Sequence, residues 1–262
     1  MSSEVRMPRF FVGEGQISRD RVIITGEDAF HISRSLRMAV GEHITVCDGD
    51  MNEYECELVA FPGDVEARII NKKRTASEPP FFACIWQALP KGEKLDTVIQ
   101  KSVECGASEI RLFESERCIV RTNPALEDKK GQRRQKIALE AAKQSGRGIV
   151  PRVFGAVGFS EMLRSAASAD IPLFCYEGEG TVPFGEALRS SVLRLCRREG
   201  LTVSVVIGPE GGFSHTEYER AAEAGLIPVG LGKRILRTET VSTFLLGALS
   251  YEFELGGASS NE

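Results

Sequence analysis

The sequence predicts an α/β protein, a small β-rich unit followed by a larger unit built on a parallel sheet. Three observations predict it. Residues 22–70 hold short alternating strands separated by turn residues. From Phe81 onward, apolar or β-branched runs take turns with segments of helical spacing. Between the two parts, Asn71-Lys72-Lys73-Arg74 through Pro79-Pro80 is polar, charged and proline-containing, the best linker segment in the chain. Strands that alternate with helices imply a parallel sheet covered on both faces.

The elements follow in order. Val22–Thr25 is a short β-branched run, and Glu27–Met38 has helical spacing with Phe30, Leu36 and Met38 among polar residues. His43–Cys47 and Glu53–Ala60 alternate as strands, with Asp48-Gly49-Asp50 as the turn between them. Val65–Ile70 is a further strand. In the second part, Phe81–Leu89 reads as a buried strand and Leu95–Cys105 as a helix with Leu95, Val98, Ile99 and Val103 on one side. Ile110–Phe113 is strand-like, and Glu127–Ser145 is a long basic helix ending at Gly146. Ile171–Tyr176 is a strand, Phe184–Arg198 a helix, and Leu201–Ile207 a strongly β-branched strand. His215–Ala224 is a helix closed by Gly225. Ile227–Leu231 is the last strand, and Thr238–Leu255 the final helix.

Composition narrows the function classes. The 262 residues are 42% hydrophobic and 27% charged, the balance of a soluble globular chain. A net charge of −4 does not suit a generic nucleic-acid binder, which is basic overall. The charge is uneven, however. Residues 111–152 hold eleven Lys and Arg against five acids, and local fields steer polyanions more than net charge does. Such a segment is either a nucleic-acid contact or a solvated helix face laced with ion pairs. Seven cysteines without C-x-x-C spacing exclude a disulfide framework and a zinc cluster. No metal site is expected. No run of about 18 apolar residues offers a membrane span, and the residues through Phe11 hold no apolar signal core. The expected location is therefore the cytoplasm.

Two loops carry the chemistry. In the first, Val203-Ser204-Val205-Val206-Ile207 runs into Gly208-Pro209-Glu210-Gly211-Gly212-Phe213, and Ser214 can cap the helix that follows. Glycines there let the backbone approach a ligand and adopt positive φ, and ligands of open α/β sheets bind at the carboxyl ends of strands. Neither G-x-x-x-x-G-K-[ST] nor G-x-G-x-x-G with a downstream acid is present. Glu210 would repel a polyphosphate, so a neutral or cationic ligand such as a sulfonium cofactor fits better. The second loop, Gly230-Leu231-Gly232-Lys233-Arg234-Ile235-Leu236-Arg237, leads to a helix that Thr238 or Thr240 can cap, with Glu239 at its positive end. A third loop, Tyr176-Glu177-Gly178, follows another strand and offers an acid for an amine or a ribose hydroxyl. Each loop alone is equally a tight strand-to-helix turn. Together they point to one shared pocket.

The chain resembles the bacterial 16S rRNA (uracil-N3)-methyltransferases of the SPOUT superfamily over nearly its whole length. The resemblance is carried by Pro8-Arg9-Phe10-Phe11, His31-Ile32 with Leu36-Arg37-Met38, Pro90-Lys91-Gly92, and Gln100-Lys101 with Glu104 and Gly106. It continues in Ser115-Glu116-Arg117 and in Glu140-Ala141 with Gln144-Ser145, Arg147 and Pro151. Its most specific motifs are Ile207–Ser214 and Leu231-Gly232 with Ile235–Thr240. Val241 departs from the pattern, which usually has Ala there.

The resemblance implies a PUA-like RNA-recognition β-barrel at 1–74, a linker at 75–80, and a SPOUT-type methyltransferase domain at 81–262 threaded into a C-terminal trefoil knot. It implies S-adenosyl-L-methionine as cofactor, held by Glu177, Gly208, Pro209, Glu210, Gly211, Gly212, Leu231, Gly232, Ile235, Leu236 and Thr238. The substrate would be N3 of a uridine in 16S rRNA, within the 30S subunit. Loss of the N3 proton places negative charge on the uracil, so the site needs an acceptor and a cation. Arg237 is the candidate for the anion and Glu239 for the proton. Arg9, Arg37, Lys91, Arg117, Arg134 and Arg147 are the candidate RNA contacts, against the bland reading of surface ion pairs. His31, His43 and His215 read as structural, since none has a Ser or Cys partner at a suggestive site. The final helix is apolar around most of its circumference, from Val241 through Phe253, so it must be buried; a homodimer through the C-terminal domain matches what the resemblance implies. Two other readings stay open: the same fold acting on a different RNA, and a non-catalytic RNA-binding protein of ribosome assembly.

Overall fold

The computed structural model describes residues 7–196 and 199–256. The chain divides into two units. One holds the residues up to Glu78 together with Ala142–Val150, and the other holds Pro79–Ala141 and the chain from Pro151 onward.

The first unit is a five-stranded sheet. Its strands are β1 (Arg9–Phe11), β2 (Arg21–Ile24), β3 (His43–Cys47), β4 (Asn52–Ala60) and β5 (Val65–Arg74), in the order β1-β3-β4-β5-β2. β1 runs parallel to β3, and the other pairs are antiparallel. The expected turn at Asp48–Asp50 is present. The Asp48 carboxylate accepts from the backbone of Asp50 and Asn52, from Asn52 Nδ2 and from Tyr54 Oη. Register shifts between β4 and β5 at Glu55/Cys56 and Leu58/Ala60 bend the strands and curl the sheet. Phe10, Ile24, Ile32, Ile44 and Leu58 fill its concave side. The helix expected at Glu27–Met38 is shorter: α1 (Gly26–Phe30) passes into a π turn at His31–Ser35, and Arg37 follows at φ 53°. Asn71–Arg74, placed in the linker by their polarity, instead extend β5 against Asn52–Glu55. Their backbone is paired while their side chains stay exposed, so no alternation marks the strand.

One buried ion pair ties the Ala142–Val150 segment to this unit. Arg147 Nε lies 3.0 and 2.9 Å from the two Glu78 oxygens, and its Nη2 lies 2.5 Å from Oε2. Glu78 Oε1 also accepts from Gly148 N and Ile149 N.

The second unit is a seven-stranded, wholly parallel sheet with intervening helices, the expected α/β class. Its elements are β6 (Phe81–Ala88), α2 (Lys94–Glu104), β7 (Glu109–Glu114), α3 (Pro124–Ser145), β8 (Arg152–Gly158), α4 (Phe159–Ala166) and β9 (Ile171–Cys175). Then come β10 (Val182–Pro183), α5 (Phe184–Leu195), β11 (Leu201–Ile207), α6 (His215–Glu223), β12 (Ile227–Gly230) and α7 (Thr238–Ser250), with a π turn at Tyr251–Leu255. The sequence leaves β8 and α4 unmarked, because β8 carries two glycines and alternates poorly. The end expected for α5 at Arg198 lies outside the described residues.

Strand order is β10-β12-β9-β11-β6-β7-β8. The chain lays β6, β7 and β8 toward one edge, then sets β9 on the other side and later inserts β11 between β9 and β6. Ligands of open α/β sheets bind where the order reverses, outside the carboxyl ends of the strands. Here that place lies beyond Cys175, Ile207 and Gly230. No helix among the described residues is long and apolar enough to cross a membrane.

Candidate functional site

The three loops singled out in the sequence meet at that place. They line a cleft of about 790 Å³ within the second unit, together with Lys94, Arg117 and Thr181. That volume is within the range of small-ligand sites, roughly 300–1,000 Å³.

The loop after β11 is shaped from both ends. Gly212 N donates to Pro209 O at 2.9 Å, and Gly212 takes φ 64°, a left-handed conformation that glycine adopts without strain. Gly208 sits on the Phe213 ring, and a Cβ there would lie 3.1 Å from Phe213 Cε2. Phe213 itself is buried and stacks on Phe174 of β9 at 4.2 Å between centroids. Ser214 then caps α6 as expected: its Oγ accepts from Glu217 N, and Glu217 Oε2 accepts from Ser214 N. Glu217 is buried and accepts from Glu116 N as well, which fastens the Ser115–Arg117 motif beside the loop.

Charge in the cleft is paired across elements. Glu210 Oε1 accepts from Lys91 N and from Lys94 Nζ, both at 3.0 Å. Burial opposes the ionisation of Glu210, but bonds from its own N–H, the Lys91 N–H and the Lys94 ammonium outweigh it and hold the carboxyl below 4.5. Lys94 Nζ also lies 3.9 Å from Glu239 Oε2. Arg117 Nη1 donates to Gly211 O at 2.9 Å.

The start of α7 differs from expectation. Neither Thr238 nor Thr240 caps it. Arg237 stands at the N-cap without a side-chain bond, and Thr238 is the first helical residue. The Thr238 hydroxyl turns back and donates to Gly208 O at 2.7 Å, joining the two loops.

Comparison with known proteins shows the family to which the chain belongs. A family model described as an RNA methyltransferase domain matches residues 77–250, and one described as an RNA methyltransferase PUA domain matches residues 24–70. The ribosomal RNA small subunit methyltransferase E of Bacillus subtilis (strain 168) is 38% identical over 88% of this chain and 90% of its own. The chain belongs to this family of RNA methyltransferases. A small subunit methyltransferase E from Neisseria gonorrhoeae, solved bound to S-adenosyl methionine, superposes with a TM-score of 0.82 at 32% identity, covering 95% of this chain and 98% of the other. A Legionella pneumophila protein solved with the same cofactor gives 0.80 at 29% identity, over 95% and 98%. The fold class inferred from the motifs, a SPOUT-type parallel-sheet domain with a separate PUA-like sheet, is the one observed.

In this RNA methyltransferase the eleven residues expected at the cofactor, Glu177, Gly208–Gly212, Leu231, Gly232, Ile235, Leu236 and Thr238, all line the one cleft. Arg237 lines it too. Its side chain is exposed and makes no hydrogen bond or ion pair among the described residues. Glu239 is set back from the cleft, behind Lys94. Its Oε2 is buried and accepts no hydrogen bond.

The expected RNA contacts divide. Arg37 and Lys91 have exposed side chains, and Arg117 stands at the cleft. Arg147 is 2% exposed and bound to Glu78, so its guanidinium is turned inward and not presented at the surface. Arg134 is buried against Glu127 on its own helix, and Arg9 is held by Cys47 Sγ, Glu53 and Arg147 O. Arg134 and Arg147 are buried and Arg9 is half-buried, each with a carboxylate partner, which a count of charges along the chain does not show. Lys94 and Gln87 were missed. Lys94 is one cation among many in the sequence, and Gln87 is one polar residue inside an apolar run. Among the described residues no group of His, Cys, Asp and Glu is placed to hold a metal ion.

Proposed function

We propose that the protein transfers a methyl group from S-adenosylmethionine to N3 of a uridine in the 16S rRNA of the small ribosomal subunit. The observation that carries this is the convergence of Glu177, Gly208–Gly212 and Leu231–Thr238 on one cleft at the switch point of the sheet. Relatives sharing the fold and about a third of the sequence are named small subunit rRNA methyltransferases, and one was solved with the cofactor. The cleft suits such a ligand. Its loops offer backbone polar groups at close range, and Lys94 occupies Glu210 so that no bare acid points inward from that loop. When bound, the cofactor supplies an electrophilic methyl group.

The chain's own residues then handle the nucleotide. Arg237, unpaired at the mouth, meets the negative charge that spreads over the uracil oxygens once N3 loses its proton. Glu239 is the candidate for that proton: among the described residues its Oε2 accepts no hydrogen bond, and the side chain stands behind Lys94 and not on the cleft wall itself. Arg37, Lys91 and Arg117 are the cations left exposed for phosphate. A homodimer is the reading given to the apolar residues left exposed on α7 and the π turn after it: Phe244, Tyr251 and Leu255 are 41, 67 and 71% exposed, an apolar surface that a second copy would cover. Tritiated S-adenosylmethionine offered with 30S particles, 50S particles and tRNA tests the reading. Label is expected in the 30S particle alone. Label in tRNA or the 50S particle instead would overturn the substrate, and none anywhere would overturn the activity.

A further inference from the structure

Gln87 is the one polar residue in the apolar run of β6, next to its last residue. It is fully buried and stands in register with Ile207, the last residue of β11. It does not line the cleft. Its Nε2 lies 2.9 Å from Ala88 O and 2.9 Å from Thr238 Oγ1, with Gly208 O at 3.5 Å. Thr238 passes its own hydrogen on to Gly208 O at 2.7 Å. Three parts of the chain thus meet at one carboxamide: the end of β6, the loop after β11, and the first residue of α7.

The orientation of that amide is dictated by its neighbours. Two carbonyl oxygens and a hydroxyl whose hydrogen is already committed are all acceptors, so the NH2 must face them. The other end, Gln87 Oε1, is buried and has no partner among the described residues. An unpaired buried acceptor is destabilising, and an aliphatic side chain of the same size would suit the core better. What the amide does in return is local. Gly208 precedes Pro209, whose ring fixes φ and which has no N–H. The direction of the Gly208 carbonyl therefore sets the plane from which the Gly208–Gly212 wall begins. Thr238 closes the opposite wall.

We propose that Gln87 is a positioning residue for the cofactor, acting through the Thr238 hydroxyl and the Gly208 carbonyl to hold the two walls of the cleft at a fixed separation. The proposal rests on reading the cleft as the cofactor site. Glutamate cannot replace it, because a carboxylate would face two carbonyls with no hydrogen to give. Threonine at 238 can be replaced by serine but not by valine, since the hydroxyl relays the contact.

Calorimetric titration with S-adenosylmethionine tests this on the full chain, using wild type, Q87L, T238V, T238S and the Q87L/T238V pair. Losing a link made of one or two hydrogen bonds is expected to weaken binding about tenfold in Q87L and in T238V. T238S should bind within about twofold of wild type. The double variant should be no weaker than T238V alone, because both changes cut the same link. The melting temperature of Q87L should not fall, since the unpaired acceptor goes with the amide. Wild-type affinity in Q87L, or losses that add in the double variant, would overturn the inference. Should Q87L fail to fold, T238V decides: unchanged binding there overturns it equally. No binding by wild type would sink the reading of the cleft itself, and this inference with it.

Discussion

Arg147 separates two accounts of the same residue, and replacing it with methionine decides between them. In the structure its guanidinium makes three contacts of 2.5–3.0 Å with Glu78, and the two side chains are 3 and 6% exposed. Methionine keeps much of the volume and removes the charge. Glu78 is then a buried carboxylate whose remaining donors among the described residues are Gly148 N and Ile149 N. Breaking a buried pair in this way costs about 3–5 kcal/mol, a large share of a typical total of about 5–15 kcal/mol. Urea denaturation followed by circular dichroism measures it. The pair Glu78→Gln with Arg147→Met should recover most of the loss, because Gln Oε1 still accepts from Gly148 and Ile149 and no buried charge remains. RNA affinity of folded Arg147→Met should match wild type, with an unchanged salt slope. A stability loss under about 1 kcal/mol is what an exposed pair gives. Together with a salt slope lowered by about one, it would refute this account and restore Arg147 as a phosphate contact.

The other predictions concern the cleft. Arg237→Ala should lower the single-turnover methyl-transfer rate at least tenfold at saturating cofactor, and a loss confined to cofactor affinity would remove Arg237 from the chemistry. Glu239→Gln should slow the same step, and an unchanged rate would withdraw it as proton acceptor. Gly212→Ala has open space for its methyl group but must keep φ 64°, so it should cost about 1–2 kcal/mol from backbone strain alone; a neutral result would mean the loop relaxes. Glu210 is held below its ordinary value of 4.5, so its contribution is full above that pH and fades as pH falls through the lower folded value. The stability gap between wild type and Glu210→Gln should accordingly be flat from pH 6 to 8 and shrink as pH falls below 4.5, and a gap that widens on acidification would contradict it.

The parallel sheet was legible because buried strands such as Leu201–Ile207 and Phe81–Ala88 are continuous apolar runs, and Gly- and Ser-bearing loops mark where they end. The cleft was legible for a related reason. Backbone-lined sites leave glycines in the sequence, and the two most specific motifs coincide with cleft walls. What stayed hidden was pairing. Lys143 with Asp28 and Arg147 with Glu78 join residues 115 and 69 positions apart, and nothing local signals either. Asn71–Arg74 read as linker because a paired backbone with solvated side chains has no periodic hydrophobicity. By residue type either Thr238 or Thr240 can cap α7, whereas the Thr238 hydroxyl answers to Gln87 and Gly208, which only the fold brings together.

The central claim is tested most directly by mapping the modified base. 30S particles from a strain lacking the enzyme are incubated with the protein and labelled S-adenosylmethionine, and nuclease fragments of the rRNA are read by mass spectrometry. The account predicts one new methyl group, on N3 of a single uridine in 16S rRNA, and at least tenfold less of it at early times when Arg237 is replaced by alanine. A methyl group on another atom or another base, or transfer that survives Arg237→Ala undiminished, would contradict it.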